Sequence, residues 1–546
     1  MIAGGPIHNT RAPPTRPADP LPILTDALQT LSALWRTIPA EVWGAAYLLW
    51  IAGSVVFMLL QRRPPTTTLA WIIGFVTLPL LGALMYFFFG PRRLRRRKLG
   101  RQLAKRLAGR MAPDETGAEL SAAFAGEPHA QLARLAIRYG DTPPRRNQRL
   151  ELYDDGDDTY RAIEAAMAAA RDTLHLEYYI FEPDVIGRRW RDLLVERARA
   201  GVEVRVLVDA LGSKRCGGRF WQPLVEAGGE VRRFNPPRLL RLQSNLINFR
   251  THRKIVVVDG RLAFTGGINV ASGHSGLSSG STAWRDTHLS VEGYAAHDLQ
   301  RVFLEDWLFA GNRDGRDGRD GREDREGRDG RDGRRGRPGR RRRDPVLSAP
   351  QADLDRWFPP LPPASGPWVQ IIDSGPDEPR PSLHRFLFAA IASAQKRLWL
   401  TTPYFIPDDP MLAALATARA RGVDVRLIVP HAGDSWLVSR AASTFTEEML
   451  TEDVAVFEYQ PTMIHAKTMV IDDDLTIVGT ANMDNRSFRL NFEVAAAFYD
   501  PEVTARAAAM FERDLTRCRP LSVRGSRGPL LDRLVASAAR LAAPLL

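Results

Sequence analysis

The stretch HRKIVVVD at residues 252–259 recurs as HAKTMVID at residues 465–472. Each copy is followed, at the same distance, by a short glycine-containing segment, GGIN at 266–269 and GTAN at 479–482. The chain has 6 Lys against 69 Arg, so two lysines placed two residues after a histidine are improbable by chance. The doubled pattern therefore indicates two copies of one unit rather than isolated core residues.

The segments around the two motifs repeat as well. Before each motif the predicted order is strand, helix, strand, helix, strand; the strands begin at Leu150, Leu174 and Gly201 in the first copy and at Val369, Arg397 and Gly422 in the second. Strands that alternate with helices of about 10 to 15 residues are typical of α/β units. We therefore predict an α/β fold in which two tandem repeats form one pseudo-symmetric catalytic unit.

Two apolar stretches without charge, Val42–Leu60 and Leu69–Phe89, precede the repeats. Their lengths are close to the roughly 20 residues that a helix needs to cross a bilayer. A buried core helix is the alternative, but such helices seldom run this long without a polar face. We predict a transmembrane hairpin over residues 42–90, with Pro79 kinking its second helix.

The net charge of +12 is concentrated in two segments. Residues 91–110 carry ten Lys or Arg and no acid, and residues 313–343 carry 14 Arg against 8 acids, which leaves the rest of the chain slightly acidic. A basic flank beside an apolar span is typical of the cytoplasmic side of a membrane. We predict an anionic membrane surface as partner and no nucleic acid. Two cysteines exclude a disulfide framework and fit a reducing compartment.

These patterns divide the chain into six predicted segments. Glycine in nearly every triplet of the arginine-rich tract, with nothing apolar to bury, predicts a disordered linker. The segments are a tail (1–41), two transmembrane helices (42–90), a basic juxtamembrane and connecting segment (91–145), the first repeat (146–312), the linker (313–345), and the second repeat with a C-terminal tail (346–546).

The histidines and lysines of the motifs suit transfer of a phosphoryl group. Side chains alternate along a strand, so His252 and Lys254 project to one side, as do His465 and Lys467, and both pairs can line one pocket. Imidazole serves as nucleophile or proton donor near neutral pH, and an ammonium group binds phosphate oxygens. We predict that one histidine attacks phosphorus while the other protonates the leaving alkoxide.

The other motif residues have different predicted roles. Asn269 and Asn482 are candidate substrate-binding donors. Asp259 and Asp472 complete the candidate catalytic set, but they fall on the opposite face or beyond the strand end, so a structural role is expected. A cradle with two lysines stabilises phosphoryl oxygens electrostatically, so neither a metal nor another cofactor is predicted.

A catalytic histidine usually needs a carboxylate that fixes its tautomer. Asp286 lies 34 residues after His252, and Glu493 lies 28 residues after His465. We predict that these two acids orient the histidines; the alternative is that they are ordinary surface or strand-end acids.

These motifs resemble the phospholipase D superfamily, whose signature is a doubled His-x-Lys-x4-Asp with a following Gly-x-x-Asn element, and within it the bacterial cardiolipin synthase family. The likeness covers nearly the whole chain. It includes RRPPTTTLAW at 62–71, EYYIF at 177–181, WRDTH at 284–288 and NRSFRLNFE at 485–493. The long arginine-rich linker departs from the family pattern.

The resemblance implies two phospholipase D-type repeats and a multi-pass protein of the bacterial inner membrane with a cytoplasmic catalytic part. It implies that a phosphohistidine forms, with His252 the nucleophile and His465 the acid and then the base. The substrate would be phosphatidylglycerol, and the products cardiolipin and glycerol. The alternative is a hydrolytic phospholipase D that releases phosphatidic acid. A nucleic-acid phosphodiesterase is a weaker alternative. The oligomeric state stays open.

Overall fold

The computed structural model describes residues 39–61, 65–89, 101, 104–109, 124–236, 248–323, 351–378, 380–522, 530–541 and 543. Most of the predicted tail, residues 92–100 of the basic flank and residues 324–345 of the predicted linker lie outside these described residues. The chain divides into two compact units, Met1–Pro91 and Arg92–Leu546.

The first unit contains an apolar helix of the length that the sequence predicts. Helix α1 spans Ala40–Leu59 and is followed by α2 (Pro65–Thr77) and α3 (Pro79–Phe89). Residues Glu41–Leu59 form a helix that is long and apolar enough to cross a membrane, and its side chains are mostly exposed. The first predicted span is therefore a helix of suitable length and composition.

The second predicted span is not one continuous helix. It is interrupted at Leu78, and α3 folds back beside α2: the ring centroids of Trp71 and Tyr86 lie 5.1 Å apart, whereas 15 residues of continuous helix would cover about 22 Å. Pro79 has no N–H and its ring clashes with the preceding turn, so the predicted kink is a break. Among the described residues one helix meets the length and composition of a span, and the two-span hairpin is not confirmed.

The first repeat of the second unit alternates strands and helices as predicted. After helix α4 (Ala130–Tyr139), its elements are β1 (Arg145–Tyr153), α5 (Gly156–Ala169), β2 (Thr173–Tyr178), α6 (Val185–Arg199), β3 (Glu203–Asp209), α7 (Gly218–Glu226), β4 (Glu230–Phe234), β5 (Lys254–Val258), β6 (Leu262–Gly266), α8 (Gly276–Ser279), β7 (His288–Gly293) and α9 (Tyr294–Glu323).

The second repeat follows the same order with a few additions. Its elements are α10 (Gln351–Trp357), β8 (Trp368–Ser374), α11 (Ser382–Ser393), β9 (Arg397–Thr401), β10 (Phe405–Ile406), α12 (Asp409–Ala420), β11 (Asp424–Pro430), α13 (Trp436–Thr451), β12 (Ala455–Tyr459), β13 (Thr468–Ile471), β14 (Leu475–Gly479), β15 (Met483–Asp484), α14 (Asn485–Arg489), β16 (Glu493–Tyr499), α15 (Pro501–Leu515), β17 (Cys518–Pro520) and α16 (Leu530–Arg540).

Fifteen of the described strands form one mixed sheet in the order β17-β12-β11-β9-β13-β14-β16-β8-β1-β7-β6-β5-β2-β3-β4. Strands β1 and β8 pair antiparallel at its centre, where Arg145 lies opposite Val369. Outward from this pair the first repeat runs β7-β6-β5-β2-β3-β4 and the second runs β16-β14-β13-β9-β11-β12, element for element. The predicted α/β fold of two pseudo-symmetric repeats is confirmed.

The strand that carries the first motif lies deep in this sheet. All five residues of β5, KIVVV, are buried, because helices cover both faces of the sheet around it, as is usual for runs rich in β-branched residues. Arg253, within the motif, is also buried, and its guanidinium binds Asp306 of α9 at 2.5 Å and Asp373 of β8 at 3.3 Å. Pairing offsets the desolvation of these charges and connects the motif to both repeats.

Helix α9 differs from the sequence prediction at its C-terminal end. It continues to Glu323, eleven residues into the segment predicted to be a disordered linker from residue 313. Residues 295–310 of this helix are buried, including Phe303 and Trp307. Extending an existing helix requires no new nucleus, so glycine-rich residues can follow it as helix although they would not start one.

Candidate active site

The backbone brings each motif against a segment of the other repeat. The His252 N–H donates to the carbonyl of Phe492 at 2.8 Å, and the His465 N–H donates to the carbonyl of Arg285 at 2.7 Å. Thr251 and Phe492 form an isolated parallel bridge, as do Ile464 and Arg285. The two motifs therefore meet in one site between the repeats.

The carboxylate beside each histidine comes from the opposite repeat. His252 Nδ1 lies 3.0 Å from Glu493 Oε2, and His465 Nδ1 lies 2.6 Å from Asp286 Oδ2. In chain order Asp286 follows His252 and Glu493 follows His465, but each acid contacts the histidine of the opposite repeat. The pairing expected from chain order is therefore exchanged in the structure. Phe492 and Arg285 immediately precede the two acids, and their pairing with the histidine segments of the other repeat determines this crossing.

The two carboxylates have different surroundings. Glu493 accepts a hydrogen bond of 2.5 Å from Thr480 Oγ1, whereas the corresponding position in the first repeat is Gly267. A Cβ atom at Gly267 would lie 1.9 Å from Asp286 Oδ1. Asp286 instead accepts from the N–H of Thr287 at 2.7 Å. The GGIN and GTAN segments thus fit one carboxylate each, with glycine making room for Asp286.

Both lysines are buried beside the histidines. Lys254 Nζ donates to the carbonyl of His252 at 2.6 Å, and Lys467 Nζ donates to the carbonyl of His465. Burial, reinforced by the charge of Lys467, lowers the pKa of Lys254 to about 7. Burial lowers the pKa of Lys467 to about 8, against the attraction of Asp286. The amines therefore change charge close to neutral pH.

The histidines are neutral near pH 7. Burial lowers the pKa of His252 below its ordinary value of 6.5, against the opposing effect of Glu493. Burial, with the charges of Lys467 and Lys254, lowers the pKa of His465 well below that value. A neutral imidazole whose Nδ1 proton faces a carboxylate keeps an unprotonated Nε2. Each ring can therefore act as nucleophile or base through Nε2.

Aromatic rings contact both histidines. The Tyr179 centroid lies 5.1 Å from that of His252, and Lys254 Nζ lies 5.6 Å from the same ring. The Trp284 centroid lies 5.4 Å from that of His465. These rings hold the imidazoles in place and limit the access of water.

The predicted substrate-binding asparagines lie at the ends of the second strands of the motifs. Asn269 Oδ1 accepts from the N–H of Ile180 at 3.4 Å, which ties it to the strand segment beside Tyr179. Asn482 donates to Asp484 at 3.1 Å and borders, together with Lys467, a small cavity of about 30 Å³. Their role toward substrate stays a prediction.

The carboxylates of Asp259 and Asp472 bind backbone groups at the start of a neighbouring strand. Each has a left-handed backbone, with φ of 50°, and each carboxylate accepts from three successive backbone N–H groups that lead into a strand. The donors are Arg171, Asp172 and Thr173 for Asp259, and Gln395, Lys396 and Arg397 for Asp472. These contacts favour the structural role that strand parity predicts, and the place of both residues in the candidate catalytic set stays a prediction.

We expect Asp259→Ala to destabilise the fold while leaving the chemistry in place. Three backbone donors lose their acceptor, which costs about 1 to 3 kcal/mol of unfolding free energy. Denaturant unfolding of the purified chain measures this loss, and Asp472→Ala should behave alike. Asp192→Ala, at an exposed site, is the control. A large loss of kcat at unchanged stability would contradict the structural role.

A third histidine, His274, lies in the site and was missed by the sequence analysis. Its centroid is 5.7 Å from that of His465 and 5.4 Å from that of Trp284, and its Nδ1 is 3.7 Å from Asp286 Oδ2. Burial lowers its pKa to about 3. It lies in the segment between GGIN and WRDTH and has no counterpart in the doubled motif, so no repeat signal could have identified it.

The comparisons with known proteins agree with this geometry. A family model described as "Cardiolipin synthase, PLD-like domain" matches residues 163–307 and 387–515, one match in each repeat. A second model, described as phospholipase D-nuclease N-terminal, matches residues 47–91.

Curated relatives match along most of the chain. Cardiolipin synthase 1 of Bacillus anthracis is 34% identical over 508 residues, which cover 92% of this chain and 94% of the relative. Cardiolipin synthase of Geobacillus thermodenitrificans is 34% identical over 520 residues, which cover 93% and 96%. Phosphatidylserine synthase of Haemophilus influenzae shares the fold, with a TM-score of 0.54, 15% identity and coverage of 76% of this chain and 100% of that structure. The chain belongs to the cardiolipin synthase family of the phospholipase D superfamily.

Proposed function

We propose that the protein is a membrane-bound phosphatidyltransferase that converts two phosphatidylglycerol molecules to cardiolipin and glycerol. The observation that carries the proposal is the pair of neutral imidazoles, each held by a carboxylate of the opposite repeat, beside two buried lysines. Similarity to cardiolipin synthases over 92% of the chain supports the choice of substrate class.

In the first step Nε2 of His252 attacks the phosphorus of one phosphatidylglycerol. A P–N bond forms, the P–O bond to glycerol breaks, and His465 protonates the departing alkoxide. A bound phosphodiester adds negative charge beside His465 and so favours the protonated imidazole that this step needs. Glycerol leaves, and a phosphatidyl group remains on His252.

In the second step His465 accepts the proton from a glycerol hydroxyl of another phosphatidylglycerol. The hydroxyl oxygen attacks phosphorus and the P–N bond breaks, which releases cardiolipin and frees Nε2 of His252. His465 then gives up the proton that it took up when the first substrate bound. The ammonium groups of Lys254 and Lys467 stabilise the negative phosphoryl oxygens throughout. Asn269 and Asn482 are proposed to donate hydrogen bonds to the same group.

The product distinguishes transfer from hydrolysis. We expect the purified chain, mixed with phosphatidylglycerol vesicles, to form cardiolipin and glycerol in equal amounts, as measured by mass spectrometry of the lipids and an assay of free glycerol. A chelator added to the same mixture should not lower the rate. Phosphatidic acid as the sole lipid product would contradict transfer and favour a hydrolytic phospholipase D.

We further propose that the first unit anchors the chain in the bacterial cytoplasmic membrane, with the repeats at 146–312 and 346–546 in the cytoplasm. The apolar helix Glu41–Leu59 and the basic segment at residues 91–110 support this placement. Labelling of single introduced cysteines from either side of sealed vesicles tests it, and an externally labelled catalytic unit would contradict it.

The buried lysines predict a falling rate at alkaline pH. Each amine is charged below its pKa and neutral above it, so the stabilising charge is lost as pH rises through about 7 for Lys254 and about 8 for Lys467. We expect kcat/KM, which reports the free enzyme, to fall over this range. The arginine in Lys254→Arg keeps its charge to high pH, so the fall of kcat/KM should begin at a higher pH in this variant. An unchanged kcat/KM across the range would contradict this role.

A further inference from the structure

His274, Asp286 and His465 form a compact group of metal-binding side chains. One ligand atom from each residue lies within 4.8 Å of the others, and among the described residues this is the one group of its kind. All three are buried, and His274 is 3% exposed. Within the described part of the chain, His274 Nδ1 has no hydrogen-bond partner, although it lies 3.7 Å from Asp286 Oδ2. The catalytic mechanism gives this imidazole no task.

The distances suit a small divalent cation. Tetrahedral zinc with ligands at about 2.0 to 2.1 Å places neighbouring ligand atoms about 3.3 Å apart. The distance from His274 Nδ1 to Asp286 Oδ2 is 3.7 Å, and that from His465 Nδ1 to the same oxygen is 2.6 Å. Shifts of less than 1 Å bring both to the zinc value, and the two imidazole ligand atoms, which lie within 4.8 Å of each other, must approach by up to about 1.5 Å. Two imidazoles and one carboxylate also match the ligand types that zinc selects over magnesium and calcium.

We propose that His274, Asp286 and His465 form an inhibitory binding site for Zn²⁺ or a similar divalent transition metal. The ion takes one nitrogen of the His465 ring. If it binds Nδ1, it takes the place of the proton that faces Asp286, and the neutral ring carries its one proton on Nε2 instead, so Nε2 can no longer accept a proton; if it binds Nε2, it occupies the atom that exchanges protons with glycerol. In both cases His465 no longer serves as acid and base. The inhibition rests on the proposed function, whereas metal binding does not.

The asymmetry of the repeats restricts the site to one half. His252 faces Glu493, whose other partners are Thr480 Oγ1 at 2.5 Å and Asn491 Nδ2 at 3.3 Å. Neither the hydroxyl of Thr480 nor the amide of Asn491 can bind a metal ion as the imidazole of His274 does beside Asp286. We therefore expect one bound ion per chain, located at His465.

Binding is tested on the full chain in detergent with Co²⁺ as a coloured substitute for zinc. We expect tetrahedral visible absorption bands that saturate at one Co²⁺ per chain and disappear when Zn²⁺ is added. His274→Phe keeps an aromatic ring beside Trp284 and should lose the bands. His274→Cys supplies a thiolate ligand and should regain them with a sulfur charge-transfer band. Absence of bands in the wild type, or identical bands in His274→Phe, would overturn the site.

Inhibition is tested with phosphatidylglycerol vesicles at controlled free Zn²⁺. Loss of one protein ligand should raise the Zn²⁺ concentration for half inhibition by at least about 100-fold in His274→Phe, since even outer-sphere changes cost about 10- to 100-fold. His431→Gln, at an exposed histidine, should match the wild type and controls for zinc bound to lipid. Equal inhibition of His274→Phe and wild type would overturn the inhibitory role. A wild type without lipid activity but with the Co²⁺ bands would contradict the proposed function alone.

Discussion

His252→Ala is expected to lower turnover by at least about 10⁴-fold and to yield no covalent phosphoenzyme, because the attacking nitrogen is absent. His465→Ala is expected to lower turnover by a similar factor, since neither the leaving glycerol nor the incoming hydroxyl exchanges its proton. Radiolabelled phosphatidylglycerol followed by acid-free electrophoresis measures both the turnover and the covalent species.

A substrate with a good leaving group separates the two histidines. Nitrophenolate departs without a proton, so phosphatidyl-p-nitrophenol should phosphorylate His465→Ala, and the adduct should persist because no base activates the acceptor. The same substrate should leave His252→Ala unlabelled. His431→Ala serves as the matched control at an exposed histidine. A labelled His252→Ala protein would reverse the two roles.

The second large loss of turnover is expected when either carboxylate beside the histidines, Glu493 or Asp286, is neutralised. Glu493→Gln and Asp286→Asn keep the size of each side chain but remove the charge that holds the Nδ1 proton, and we expect losses in turnover of about 10² to 10⁴-fold. Glu493 contacts His252 and Asp286 contacts His465. Each variant should therefore be impaired in the reaction step that the contacted histidine performs.

The nitrophenyl substrate tests this crossing. Asp286→Asn should still form the phosphoenzyme rapidly, like His465→Ala, whereas Glu493→Gln should form it slowly, because the nucleophile His252 has lost the carboxylate that orients it. The opposite result, with Asp286→Asn failing at phosphorylation, would show that each acid serves the histidine of its own repeat. Thermal unfolding of both variants controls for loss of the fold, since both acids are buried.

Local chemistry made much of the catalytic unit predictable. The run IVVV after Lys254 predicts a buried strand, and side-chain alternation places His252 with Lys254 and separates both from Asp259. The matched spacing around His465 then implies a second copy of the same fold, which the sheet order confirms. These properties depend on neighbouring residues, so they can be read from the chain alone.

Some elements depend on context that local patterns do not contain. Pro79 indicates a kink, but whether the chain bends slightly or folds back depends on contacts such as those of Trp71 with Tyr86. Residues 313–323 favour disorder by composition, yet they continue a helix that the core has already nucleated.

The sequence by itself determined the two motifs, their strands and the kinds of side chain that perform the chemistry. Only the tertiary structure decided which carboxylate serves which histidine and which third imidazole joins them. Asp286 and Glu493 follow segments that pair with the motif of the opposite repeat, and His274 reaches His465 across the same boundary. Contacts across a pseudo-twofold join residues about 180 to 240 positions apart, and neither propensity nor strand alternation acts over such a separation.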